Sequence, residues 1–101
     1  MQHLKSVDEH DKLITDADIV VVKYGAVWCK PCVRLGVELA KMAAEFESVI
    51  FASVDVDKVK QFQRCKLPTT RIFKDGEEVD MAVGGSAASF IRETLEEMVG
   101  R

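Results

Sequence analysis

Two cysteines three positions apart, Cys29 and Cys32, stand where one periodicity gives way to another. Just before them, Ile19-Val20-Val21-Val22 is an unbroken β-branched run, the pattern of a strand buried on both faces. Just after them, Leu35, Leu39, Met42, Ala43 and Phe46 recur at intervals of three and four, which predicts an amphipathic helix over residues 31–46. Pro31 falls in the first turn of that helix, where its missing N–H removes no helical bond. A buried strand delivering a dithiol to a helix start leaves few folds open. The strand must lie inside a sheet, and the helix must return along one of its faces.

The rest of the chain fits that frame. Residues 7–15 read as a short helix with Leu13 and Ile14 as its apolar contacts, residues 49–56 as a strand, and residues 58–64 as a short helix or helical turn. Thr70–Phe73 and Glu77–Val83 flank Lys74-Asp75-Gly76, a hairpin signal because Asp-Gly tolerates positive φ. Ser86 is placed to cap a last helix whose apolar face is Phe90, Ile91, Leu95 and Met98. Strands alternating with helices predict an α/β layer. The closing hairpin makes the central sheet mixed, with helices on both faces. The 101 residues suit one domain, 1–101, and show no linker or repeat.

A net charge of −3 offers no basic face for phosphates, so no nucleic-acid partner is expected. No apolar run approaches the roughly 18 residues a membrane helix needs, and residues 1–6 lack the apolar stretch of a secretory leader. A cytoplasmic, reducing compartment is therefore expected. Three cysteines, an odd number, suit a catalytic pair plus one free thiol better than a disulfide framework.

Trp28-Cys29-Lys30-Pro31-Cys32 carries the chemistry. At a helix start, unpaired N–H groups and the macrodipole favour an anion, which lowers the pKa of Cys29 and supplies the attacking thiolate. Lys30 adds a positive charge acting in the same direction, and Trp28 offers a flat surface beside the pair. Cys32 then serves as the resolving thiol. A zinc half-site is the competing reading. It needs about four ligands, and only Cys65, His3 and His10 remain, none at ligand spacing. No metal and no bound cofactor are expected; an iron–sulfur cluster shared between two chains is rarer still.

These residues resemble the thioredoxin family over nearly the whole chain. The marks are Ala26 to Cys32, then Val54-Asp55-Val56-Asp57, Leu67-Pro68-Thr69, Phe73-Lys74-Asp75-Gly76 and Val83-Gly84, in the family's order. The resemblance implies the thioredoxin fold and reduction of protein disulfides by dithiol exchange. It implies a cis bond before Pro68, with Leu67 offering backbone groups to a substrate peptide. It also places Gly84 and Gly85 near the active-site surface, where a side chain would obstruct a partner. Partners would be disulfide-containing proteins and a thioredoxin reductase or equivalent donor, with the chain acting as a monomer.

The sequence departs from the family at several points. Lys23 stands where thioredoxins usually carry a buried Asp beneath the second cysteine, and Ser53 replaces the accompanying lysine. A lysine in a buried strand must find a carboxylate, reach solvent or become neutral, and Asp55 is the candidate partner. Lys23 is therefore a candidate for tuning the thiolates, or for acting as a base. Lys30 replaces a glycine and is expected to raise the reduction potential slightly by stabilising the thiolate. Residues 57–68 form a shortened segment containing Cys65, read as a small buried or half-buried apolar residue or, more sharply, as the thiol of a regulatory or intermolecular disulfide. Val37 replaces a helix-kinking proline, and Gly25 replaces an aromatic, leaving open space beside the site. The leading expectation is a general electron carrier. The alternatives are a specialised oxidoreductase with one dedicated partner, or a docking or assembly subunit that uses the groove for binding.

Overall fold

The computed structural model describes residues 1–100. The β-branched run forms the centre of β2, Ile19–Gly25, whose first six residues alternate between two buried layers. Val20, Val22 and Tyr24 face one core with Ile14 and Phe73. Ile19 and Val21 face the other with Leu35, Leu39, Met42 and Phe46. The same alternation places Lys23 on the second face.

Five strands make one sheet in the order β1-β3-β2-β4-β5. They are β1 (Gln2–Leu4), β2, β3 (Ile50–Asp55), β4 (Thr69–Lys74) and β5 (Glu77–Val83). β3 runs parallel to both β1 and β2, whereas β4 is antiparallel to β2 and to β5. The sheet is thus mixed, with α1 (Val7–Asp16) on one face and α2 (Lys30–Glu45) and α3 (Ala88–Val99) on the other. The hairpin turns through Asp75 and Gly76, both at positive φ. A bulge in β4 between Ile72 and Phe73 shifts its pairing with β5. β5 is an edge strand with Val79, Met81 and Val83 exposed, interleaved with Glu78 and Asp80.

Two sequence expectations need correction, the Ser86 cap and the Phe90 contact, and one element was not expected. The opening residues form β1, a strand too short to show alternation. Within residues 58–64 the helical turn is a 3-10 turn, Lys60–Phe62. Ser86 does not cap α3: Ala87 occupies the cap position, with no side-chain bond. Phe90 is exposed, because it sits about 100° around α3 from Ile91, and the buried stripe runs through Ile91 and Leu95.

Candidate active site

The dithiol sits where β2 ends and α2 begins. Cys29 is the N-cap of α2, and its sulfur accepts from the Cys32 backbone N–H at 3.3 Å. One of the helix's orphan donors is therefore aimed at Cys29 Sγ. The two cysteines form a disulfide with Cα atoms 5.2 Å apart, so this sulfur stands in for the Cys29 thiolate of the reduced form. Pro31 follows in the first turn. Cys29 is 7% exposed and Cys32 1%, which makes Cys29 the more accessible of the pair.

Trp28 stands outside the core, 67% exposed, and its indole N–H donates to Asp57 Oδ2 at 2.8 Å. Nothing in the local pattern announces this anchor, since Asp57 lies 29 residues away. Lys30 is exposed at the first position of α2.

Pro68 follows a cis peptide bond after half-buried Leu67. Thr69 pairs with Tyr24, so Pro68 lies at the same end of the sheet as the cysteine motif. The Pro68 carbonyl accepts from the Gly84 N–H at 2.9 Å. Gly84 has φ of +107°, a conformation that favours glycine. Gly85 makes its close approach within the chain: a Cβ there would lie 2.8 Å from Pro31 Cβ. Pro31, buried Pro68, Gly84 and Gly85 are thus linked to one another at the start of α2.

Lys23 has no ion pair with Asp55. Its ammonium donates instead to the Cys32 carbonyl at 3.2 Å, while Asp55 Oδ1 accepts from the Asp57 N–H at 2.9 Å. Burial lowers the Lys23 pKa from its ordinary 10.5. Two glycines make room for this lysine and its neighbour. A Cβ at Gly36 would lie 2.8 Å from Lys23 Nζ, and one at Gly25 would lie 3.1 Å from Cys32 Sγ. Gly36 is therefore a steric partner of Lys23, and α2 runs unbroken through it. Beside Gly25 opens a groove of about 560 Å³.

Cys65 is a free, half-buried thiol whose S–H donates to the Phe62 carbonyl at 3.1 Å. Burial pushes its pKa up, away from thiolate reactivity. Among the described residues, no cluster of three or more His, Cys, Asp or Glu side chains is placed to hold a metal. Nor is any helix of these residues long and apolar enough to cross a membrane.

The family model described as Thioredoxin matches residues 2–97. The chain belongs to the thioredoxin family. It is 32% identical over 99 residues to a thioredoxin of Geodia cydonium, covering 92% of this chain and 93% of the relative. It is 33% identical over 91 residues to thioredoxin-2 of Saccharomyces cerevisiae, covering 85% and 88% respectively. The solved Fasciola hepatica thioredoxin superposes with a TM-score of 0.86 at 32% identity, over 96% of this chain and 98% of that one. The Plasmodium falciparum thioredoxin gives 0.87 at 27% identity with the same coverage. The chain is accordingly a thiol–disulfide oxidoreductase with the thioredoxin fold. Its family acts on disulfide-bearing proteins by dithiol exchange.

Proposed function

We propose that the chain is a cytoplasmic, monomeric electron carrier that reduces protein disulfides, with Cys29 attacking and Cys32 resolving. The observation that carries the assignment is the Cys32 N–H directed at Cys29 Sγ from the first turn of α2. A donor fixed there stabilises a Cys29 thiolate, and the macrodipole and Lys30 act in the same sense.

The exchange balances as follows. The Cys29 thiolate attacks one sulfur of the substrate disulfide and expels the other as a thiolate, which takes a proton from water. Cys32, having lost its proton, attacks Cys29 Sγ and expels the second substrate sulfur. Two electrons pass to the substrate, and the Cys29–Cys32 disulfide remains. A thioredoxin reductase or equivalent donor returns two electrons. The cysteine pair itself carries them, so no bound cofactor or metal is required.

Lys23 is a positioning residue in this reading. Its ammonium against the Cys32 carbonyl brings positive potential to the resolving side of the pair, where an acid was expected. Trp28, the Leu67 backbone, Pro68, Gly84 and Gly85 form the surface that receives the substrate strand. The cytoplasmic assignment is supported by the odd cysteine, Cys65, which is a free thiol outside the redox pair.

The test is insulin reduction driven by dithiothreitol, repeated with NADPH and a conventional thioredoxin reductase. Cys29→Ser abolishes turnover, while Cys32→Ser accumulates a covalent mixed disulfide through Cys29. Trapping by Cys29→Ser instead would reverse the assignment. Turnover with dithiothreitol alone would identify a specialised donor, and no turnover in either assay would identify a docking module.

A further inference from the structure

Across the α2 side of the sheet, one row of paired residues is polar. His3 lies opposite Ser53, and Ser53 opposite Lys23. His3 Nδ1 and Ser53 Oγ share a hydrogen bond of 2.7 Å. This row floors the groove beside Gly25, which also takes in Lys5 and Lys58. Four basic side chains therefore meet one acid, Asp55, whose carboxylate already accepts from the Asp57 N–H. Val27 and Val33 form an apolar wall. The volume, about 560 Å³, falls in the usual range for small-molecule sites, roughly 300–1,000 Å³.

Lys23 gives this groove its chemistry. An ammonium has three N–H donors, and among the described residues one acceptor engages this one, the Cys32 carbonyl. A half-buried cation with donors to spare is stabilised by an anion, which offsets its desolvation. We propose that the groove binds a small aliphatic carboxylate, with the carboxylate on Lys23 and Lys58 and the chain along Val27 and Val33.

The apolar wall favours a carboxylate with a hydrocarbon tail over a strongly hydrated inorganic anion. The site also reaches the redox pair. A Cβ on Gly25 would lie 3.7 Å from Lys23 Cε as well as 3.1 Å from Cys32 Sγ. An anion there opposes a thiolate on Cys32, so by linkage the disulfide form binds it more tightly than the thiolate form.

The probe is sodium hexanoate, titrated into the oxidised full chain at constant ionic strength and followed by amide chemical shifts. Hexanamide and inorganic phosphate serve as comparisons. Saturable shifts are expected at His3, Gly25, Val33 and Ser53. Hexanamide is expected to bind roughly tenfold more weakly or worse, the scale of one charge-assisted hydrogen bond. Lys23→Met should weaken hexanoate by a similar factor, and Lys58→Gln by a smaller one. Should Lys23→Met fail to fold, Lys58→Gln and the hexanamide comparison decide. Absence of saturable shifts at these amides overturns the proposal. So does equal affinity for hexanamide, tighter binding of phosphate, or undiminished binding in both variants.

Discussion

The contact between Gly36 and Lys23 makes a prediction that depends on sign. In a helix interior, Gly→Ala ordinarily stabilises by about 1 kcal/mol, because alanine loses less backbone entropy. At Gly36 the new methyl would meet Lys23 Nζ at 2.8 Å, with Lys23 Cε 4.0 Å away. The ammonium is the far end of a flexible side chain, so it swings away and gives up its 3.2 Å bond to the Cys32 carbonyl. A hydrogen bond to a charged group is worth about 1.5–3 kcal/mol. Half exposure and replacement by water reduce this loss to about 1 kcal/mol. Gain and loss then cancel, and Gly36→Ala should leave the wild type within about 0.5 kcal/mol of its starting stability. In a Lys23→Ala background the obstruction is gone, and the same substitution should stabilise by about 1 kcal/mol. The coupling is the difference between the two, about 1 kcal/mol, and a double-mutant cycle isolates it. Urea unfolding of the four oxidised proteins, with slopes checked for constancy, measures it directly. Equal stabilisation in both backgrounds would refute the reasoning and show that Lys23 does not occupy the space Gly36 leaves.

Three further outcomes are expected. Because burial lowers the Lys23 pKa, the unfolded chain binds the extra proton between the lowered folded value and the ordinary 10.5. Stability should therefore rise with pH across that alkaline window more steeply in wild type than in Lys23→Met, and coincident pH profiles would contradict it. Tyr24→Phe removes a buried hydroxyl 2.7 Å from His10 Nε2. It should destabilise by about 1–2 kcal/mol in urea unfolding, and a neutral result would mean the buried pair is not a working hydrogen bond. Gly85→Ala forces a methyl against Pro31, 3.3 Å from its Cα and carbonyl oxygen as well as 2.8 Å from its Cβ. It should cost about 1–3 kcal/mol and slow insulin reduction, and an unchanged melting temperature with unchanged rate would show that the turn yields freely.

What was legible in the sequence were the features set by periodicity. The β-branched run, the spacing from Leu35 to Phe46 and the Asp-Gly turn each fix an element through one local rule, and their order fixed the sheet. The cysteine pair was equally plain, because a helix start and its proline are written in five consecutive residues. Contacts made across the sequence were not legible. β1 has three residues, too few for a pattern, so the groove that His3 completes could not be seen. Lys23 was recognisable as misplaced in a buried strand, but its partner proved to be a carbonyl, which no residue type announces. Gly36 carried no signal either, since only the position of Lys23 Nζ explains it. Ser86 failed as a cap because a capping residue marks a helix start only when the chain enters the helix at that residue.

The exposed flank of β5 has its own consequence. Val79, Met81 and Val83 lie on an edge strand whose outer backbone groups no neighbouring strand covers, the arrangement by which one molecule's sheet extends into the next. Glu77, Glu78 and Asp80 stand in the same seven residues, so two such edges brought together would set carboxylate against carboxylate. The sheet is closed on that side by repulsion rather than by a covering element. The charge that guards this edge thus lies on acidic side chains that take no part in the redox chemistry.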